Sequence, residues 1–469
     1  MENNYVLRYD DAIDESLEKI YRWLDTKMYF KVKDELLKYN EADIAEIFEE
    51  LLEDDELRTK AIVVYRLLPR AVSVDVFSYL PTYDQLKIVE VITDAELNYI
   101  IQELDFDDKI DVLEELPATV VNRILENTPK AERKLINTFL NYPDDCAGSI
   151  MTPDFISLQK EWTVRDALDH IRKEGMDTET IYTCYVKDGG YKLVGIVSLR
   201  TLVITNEDER IMNLMHTDYV FVNVNDDQEE VSEAFKKYGF IAMPVVDKEH
   251  RLVGIITVDD ILDVIEEENT EDMERMAGIL DLEQSDAEYL DKSVWKHAKS
   301  RLPWLIFMMF SAMITGAVLN AFEAQLSAVI VLVSYIPLLM GTGGNTGAQA
   351  STLMIRGLSL GEIEPHASDA LRVLWKELRI SLCVGGVLSV VNFAKILLID
   401  QQSPMIALTV CLSMVMIVMF AKMLGGMIPL AAEKVGLDPA LMANPIIASL
   451  VDLFAMIVYL LVAIILLGI

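Results

Sequence analysis

Asp452 is the one charged residue between Asn444 and Ile469. Eight residues into an apolar helix, at 1.5 Å rise per residue, it lies roughly 12 Å from the helix start. A carboxylate at that depth is costly in lipid and must face water, a cation or a partner. It reads either as part of a cation pathway or as an aspartate hydrogen-bonded to a neighbouring helix. The apolar runs contain only Lys395 and Lys422 as basic residues, and this scarcity of partners favours the pathway. Pro445 lacks a backbone donor, so it frees a carbonyl one turn back to serve as an oxygen ligand.

Carboxylates also crowd in two other places. Asp105, Asp107, Asp108 and Asp111 form one cluster, and Asp259, Asp260, Asp263, Glu266, Glu267, Glu268, Glu271, Asp272 and Glu274 form another. A charge run is usually a solvated face, but crowding of this order raises the cost of compactness. Two such clusters can meet only with cations between them, and hard divalent ions prefer oxygen ligands. A third feature runs from Pro337 to Ser351 and includes Gly341, Gly343, Gly344 and Gly347. Its glycines permit close backbone approach, and Asn345, Gln349 and Ser351 need partners in a low-dielectric setting. By periodicity alone it reads as helix-packing glycines. No HExxH, zinc-type cysteine spacing, GxxxxGK[ST] or GxSxG is present, so the sequence supports no enzyme and no catalytic residue.

The elements that must position these groups fall into two halves. The chain has 469 residues and a net charge of −35, with eight Lys and Arg against nine Asp and Glu from Arg301 onward and 33 against 67 before it. The front is therefore acidic and soluble and the back is apolar. A sequence pI near 4.4 argues against a nucleic-acid partner. Four scattered cysteines (Cys146, Cys184, Cys383 and Cys411) read as small hydrophobes in a reducing compartment. Met1 to Ala12 has no basic stretch followed by an apolar one, so no secretory signal is expected.

Apolar runs cover Leu302–Phe322, Ala324–Ile355, Ile380–Ile399 past Lys395, Met405–Leu430 past Lys422, and Asn444–Ile469. About 20 apolar residues span the hydrocarbon core, so five membrane spans are expected, with lipid around them. Basic residues gather before the first span (Lys292, Lys296, Lys299, Arg301), between the second and third (Arg356, Arg372, Lys376, Arg379) and between the fourth and fifth (Lys434). That side is expected to be cytoplasmic, which places the soluble half in the cytoplasm and Ile469 outside the cell membrane.

Residues 1–130 read as short helices in series, with Leu-Pro boundaries at Leu68-Pro69, Leu80-Pro81 and Leu116-Pro117, which suggests a small superhelical domain. Residues 147–268 contain a duplication. Ile150-Met151-Thr152 returns as Leu214-Met215-His216, and Leu193-Val-Gly195-Ile-Val-Ser198 returns as Leu252-Val-Gly254-Ile-Ile-Thr257, at offsets of 64 and 59 residues. Strand-like runs (Tyr182–Val186, Ala242–Val246) alternate with helical ones (Val164–Glu174, Glu229–Lys237). The pattern resembles a tandem pair of CBS domains, an α/β module that often binds nucleotides. The resemblance implies that Thr257 and Asp260 hold a ribose, making ATP or another adenine nucleotide the expected ligand. Ser198-Leu-Arg-Thr201 lacks the acid, so at most one such site is expected. Thr257 and Asp260 read equally well as an ordinary helix N-cap.

In its order of parts the whole chain resembles the MgtE-type magnesium channels. The resemblance is carried by Pro337 to Ser351, Arg301-Leu-Pro-Trp304, Thr257-Val-Asp-Asp260 and Gly436-Leu-Asp438-Pro439-Ala440. It implies a helical N domain (1–130), tandem CBS domains (131–268), a connecting plug helix (269–300) and a five-helix pore domain (301–469), assembled as a homodimer. It further implies that Asp452 meets hydrated Mg²⁺ beside Asn444 and the backbone of Ala448. The cytosolic Mg²⁺ that closes the pore would be bound by Asp107, Asp111, Asp227, Glu229, Asp260, Asp263, Glu268, Glu271 and Asp272. This chain reads Ala448-Ser449 where a Thr pair is common in the family, and Gly239 where an acid often follows the Tyr. The residues alone leave open a membrane-anchored nucleotide sensor and a gradient-coupled divalent-cation transporter.

Overall fold

The computed structural model describes residues 3–176, 178–280, 289, 292–441 and 444–468. The chain divides into two compact units, one ending at Glu266 and the other beginning at Glu267.

The first unit opens with helices α1 (Asn3–Asp25), α2 (Tyr29–Leu36), α3 (Glu41–Glu53), α4 (Asp55–Tyr65), α5 (Arg70–Tyr79), α6 (Thr82–Val89), α7 (Asp94–Glu103), α8 (Phe106–Glu115), α9 (Ala118–Asn127) and α10 (Lys130–Phe139). Pro69, Pro81, Pro117 and Pro129 stand at the N-caps of α5, α6, α9 and α10. Proline's fixed φ and missing N–H suit a helix start, and it holds the residue before it extended. Three of these are the expected Leu-Pro boundaries. Capping boxes start α3 (Asn40 with Asp43) and α7 (Thr93 with Glu96). Phe48 meets Tyr65 edge-on at 5.8 Å and Phe106 meets Phe139 at 4.7 Å inside the core.

The duplicated region forms two small three-stranded sheets. The first has β1 (Phe155–Gln159), α11 (Val164–Glu174), β2 (Thr180–Lys187), β3 (Leu193–Ser198) and α12 (Leu199–Ile204). The second has β4 (Val222–Asn223), α13 (Gln228–Tyr238), β5 (Ala242–Val246), β6 (Leu252–Thr257) and α14 (Val258–Met276). In each sheet the first pair is parallel and the second antiparallel, with Cys184 opposite Val197 in one and Val245 opposite Gly254 in the other. Ile110 and Leu113 of α8 share a core with Val231, Phe235 and Ile261 of the second repeat. The N-terminal helices and the CBS pair thus pack as one body.

The second unit holds α15 (Val294–Ala321), α16 (Glu323–Ala328), a 3₁₀ segment (Ile330–Tyr335), α17 (Ile336–Ser359), α18 (Ala367–Leu398), α19 (Pro404–Lys434) and α20 (Asn444–Leu467). Among the described residues, α15, α18, α19 and Pro445–Leu467 of α20 are long and apolar enough to cross a membrane. The expected second span is built differently. The run Ala324–Ile355 breaks at Val329 (φ −138°, ψ 75°), passes through the 3₁₀ segment, and becomes α17 with Pro337 in its first turn. α17 has 24 residues, about 36 Å at 1.5 Å each, and its Gly, Thr, Asn and Gln content sets it apart from the other four. α19 packs against α17, α18 and α20.

The expected connecting helix 269–300 lies partly outside the described residues. Within them α14 ends at Met276, followed by Gly278 at φ +74°. Ile279 N–H donates to Glu274 O and Gly278 N–H to Arg275 O, each at 2.9 Å, so the last carbonyls are satisfied by a left-handed glycine cap.

Candidate ion pathway and carboxylate cluster

Asn444, Ala448 and Asp452 follow one another at spacings of four and so share a face of α20. Asn444's side chain lies outside the described residues. Asp452 is half-buried and has no hydrogen-bond or ion-pair partner among the described residues. Of the two lysines in the spans, Lys395 is already engaged, with its Nζ 2.6 Å from Asp400 Oδ2, which also accepts from the Tyr335 hydroxyl at 2.9 Å. Lys422 is buried in α19.

α17 lies against α20 and α19 through its glycines. A Cβ at Gly343 would stand 2.7 Å from Val451 Cγ1 and one at Gly347 2.8 Å from Ile447 Cγ2. A Cβ at Gly425 of α19 would stand 2.3 Å from the Gly347 carbonyl oxygen. These positions bear out the small-residue packing read from periodicity. Gly341 and Gly344 do not share that role: among the described residues nothing lies within 4 Å of a Cβ added at the first, and Ala448 Cβ, at 3.9 Å, is what approaches the second. Asn345 and Gln349 are exposed on α17, and Ser351 is buried with its Oγ unpartnered.

In the first unit the fold brings α8 to the head of α14 and the start of β2. Burial, and then Asp105 and Asp259, push Asp107 up to about 6 against the pull of backbone hydrogen bonds. Burial, followed by Asp107, Asp105, Asp260 and Asp259, takes Asp108 to about 7. Asp260 rises to about 7 through burial and then Asp107. Glu179 rises to about 8 through burial and then Asp107, Asp105, Asp260 and Asp259. Asp111 is raised by the surrounding protein and then by Asp108 and Asp107, although its own side chain touches solvent. The leading charges acting on each member are all acidic. Among the described residues no three carboxylate, imidazole or thiol groups are close enough to hold one metal ion. The cluster shares a field without forming a finished chelate, and its all-oxygen donor set suits hard divalent ions.

The other expected cation ligands sit elsewhere. Asp227 caps α13 by accepting from the Glu229 amide at 2.9 Å, and both residues are exposed. Asp263 is exposed on α14, with its pKa raised by burial of the carboxyl and then by Glu266 and Asp259. In the second unit Glu268, Glu271 and Asp272 are half-buried. Burial and then Asp438 raise Asp272. Thr257 is buried and its Oγ1 donates to Asp260 Oδ2 at 2.6 Å, while Ser198 and Thr201 pair hydroxyl to hydroxyl at 2.9 Å and the Thr201 amide donates to Ser198 Oγ at 3.2 Å. An acid at this position is present in the second repeat only.

Residues 39–145 match the MgtE intracellular N domain, 147–205 and 211–267 the CBS domain, and 336–462 the MgtE family described as a divalent cation transporter. The magnesium transporter MgtE of Thermus thermophilus is 34% identical over 460 residues, covering 97% of this chain and 98% of that protein. The chain belongs to the MgtE family. The Bacillus subtilis magnesium transporter MgtE is 31% identical over 455 residues, 97% of each chain. A solved cytosolic domain of the Mg²⁺ channel MgtE in complex with ATP covers 53% of this chain and 98% of its own, at 33% identity and a TM-score of 0.48.

Within this MgtE-family architecture, sequence reasoning missed Glu179. It stands alone before β2, outside both acidic runs, and joins the cluster only because α8 packs on the CBS pair. The one local sign was an acid immediately before a strand.

Proposed function

We propose that this MgtE-family membrane protein carries Mg²⁺ through a pathway lined by α17 and α20, as a homodimer in the cell membrane. The N-terminal domains would be cytoplasmic and the C-terminus outside. The observation that carries the reading is Asp452, a half-buried carboxylate without a partner among the described residues, in line with Ala448 and Asn444 on a helix that packs against the glycine-rich α17. Mg²⁺ gives up water reluctantly, so carboxylates and carbonyls around a partly hydrated ion suit it. The names of the full-length relatives support magnesium as the cargo.

Cytosolic Mg²⁺ closes the pathway by bridging acids that otherwise repel. Asp107, Asp111 and Asp260, with Asp263, Glu268, Glu271, Asp272, Asp227 and Glu229, are the carboxylates available to it, and Glu179 joins them. An adenine nucleotide such as ATP occupies the second CBS repeat at Thr257 and Asp260. The acid of that pair supports the assignment, since it distinguishes the second repeat from Ser198 and Thr201 of the first.

The test is Mg²⁺ uptake into proteoliposomes with no other gradient, comparing wild type with Asp452→Asn. Uptake lost or made unselective in the variant supports the pathway. Unchanged uptake returns Asp452 to a structural role, and no uptake by the wild type favours a membrane-anchored sensor.

A further inference from the structure

The last turns of α14 carry Glu271 and Arg275 one helical turn apart, and the connection from α19 to α20 carries Asp438. Arg275 Nη1 stands 2.7 Å from Asp438 Oδ2, and Nη2 contacts Glu271. Asp438 is itself fixed, because its Oδ1 accepts from the Ala440 amide at 2.7 Å. Each oxygen of that carboxylate therefore has a separate task. Two residues beyond the end of α14, Gly278 leaves no room for a side chain: a Cβ there would stand 3.1 Å from Pro445 and 3.4 Å from Trp304. The end of α14 is thus seated at the head of α20, two turns before Asp452. The three charged side chains are 34%, 36% and 25% exposed for Arg275, Glu271 and Asp438. A forked guanidinium spanning two partly sheltered carboxylates is stronger and more directional than an ammonium on open surface.

We propose that Arg275 is a built-in cation clamp, a positioning residue that holds the end of α14 against the head of α20 without a divalent ion. Its contact stands on geometry, and its consequence for transport rests on the function proposed above. Glu271 is one of the acids expected to take cytosolic Mg²⁺, and in this chain a resident guanidinium already occupies it. A divalent ion must compete with Arg275 there, while Asp272 follows Glu271 on the same helix. Closure therefore starts from a seat that is already partly made.

Hydrogen–deuterium exchange on the full-length protein in magnesium-free buffer tests the clamp. Amides of residues 268–280 are expected to exchange several-fold faster in Arg275→Met than in wild type. Arg275→Lys, which reaches one carboxylate at a time, should be intermediate, and α19 should be unchanged in both. Wild-type exchange in Arg275→Met overturns the clamp. If Arg275→Met loosens α19 as well, Arg275→Lys decides: faster exchange confined to 268–280 supports the clamp, and wild-type exchange overturns it. In proteoliposomes with little internal Mg²⁺, Arg275→Met should take up Mg²⁺ several-fold faster than wild type. Faster exchange with unchanged uptake overturns the gating consequence. Absence of uptake by wild type removes the proposed function and leaves the exchange result standing.

Discussion

Thr152 and Ile255 exchange both of their backbone hydrogen bonds across the two CBS repeats, at 2.8 and 2.9 Å. Ile196 and His216 make the reciprocal exchange at 3.0 and 2.8 Å. The opening segment of each repeat therefore completes the sheet of the other, and neither repeat is finished alone. Gly254 and Gly195, at matching places in the duplication, make room for the crossing. A Cβ at Gly254 would stand 2.8 Å from Met151 Sδ and 2.9 Å from Thr152 O, and one at Gly195 would stand 3.0 Å from His216 O.

Gly254→Val should therefore force the crossing segment off its sheet. Overpacking of this kind costs about 1–3 kcal/mol. Gly189→Ala, with no heavy atom of the described residues within 4 Å of the added carbon, should stay within about 0.5 kcal/mol of wild type. Thermal unfolding of both variants checks the contrast, and equal midpoints would contradict the crossing as a source of stability.

The duplication was legible because the two Gly-bearing strands keep their pattern, and the helix starts at Pro69, Pro81 and Pro117 because proline imposes its geometry locally. Asp452 stood out through charge alone. The break at Val329 left no trace because the run around it is uncharged and mostly apolar, and such a run does not say whether it is one helix or two. Asp108 stood out within the acidic run of α8, but Glu179 joins that cluster only once α8 has packed on the CBS pair, and no spacing along the chain encodes that contact.

The cluster has a pH signature. Asp107, Asp108, Asp260 and Glu179 sit at about 6, 7, 7 and 8, against about 4 for free carboxyls. Between about pH 4 and 8 the folded unit binds more protons than the unfolded chain, so stability falls as pH rises through that window. In magnesium-free buffer the unfolding midpoint of the full-length protein should drop between about pH 5.5 and 8.5. Mg²⁺ competes with protons for the same oxygens and should raise the midpoint more at the upper pH. Glu179→Gln should flatten the uppermost part of the profile. A Mg²⁺ increment independent of pH would separate the ion from this cluster.

One nucleotide should bind per chain, at the second repeat. Removing the charged partner of a sheltered hydrogen bond costs about 1.5–3 kcal/mol, or roughly ten- to a hundredfold in affinity. Titration calorimetry with ATP should show that loss for Asp260→Ala and unchanged binding for Ser198→Ala. A loss in the Ser198 variant would move the nucleotide to the first repeat, and two sites per chain would place one in each.

The two kinds of glycine in the membrane unit can be told apart by adding one carbon. Gly425→Ala places a methyl 2.3 Å from the Gly347 carbonyl oxygen and 3.0 Å from Ala350 Cβ. Backbone oxygen cannot rotate aside, so α17 and α19 must part. Close approach is what holds such helices together in lipid, and the unfolding midpoint and Mg²⁺ uptake should fall together. At Gly344 the nearest atom to an added methyl is Ala448 Cβ at 3.9 Å, an ordinary contact. Gly344→Ala should keep the wild-type midpoint. If uptake nevertheless falls, the space between Gly344 and Ala448 is part of the ion's route. If uptake is also kept, the route passes α20 on the side of Asp452 away from Gly344.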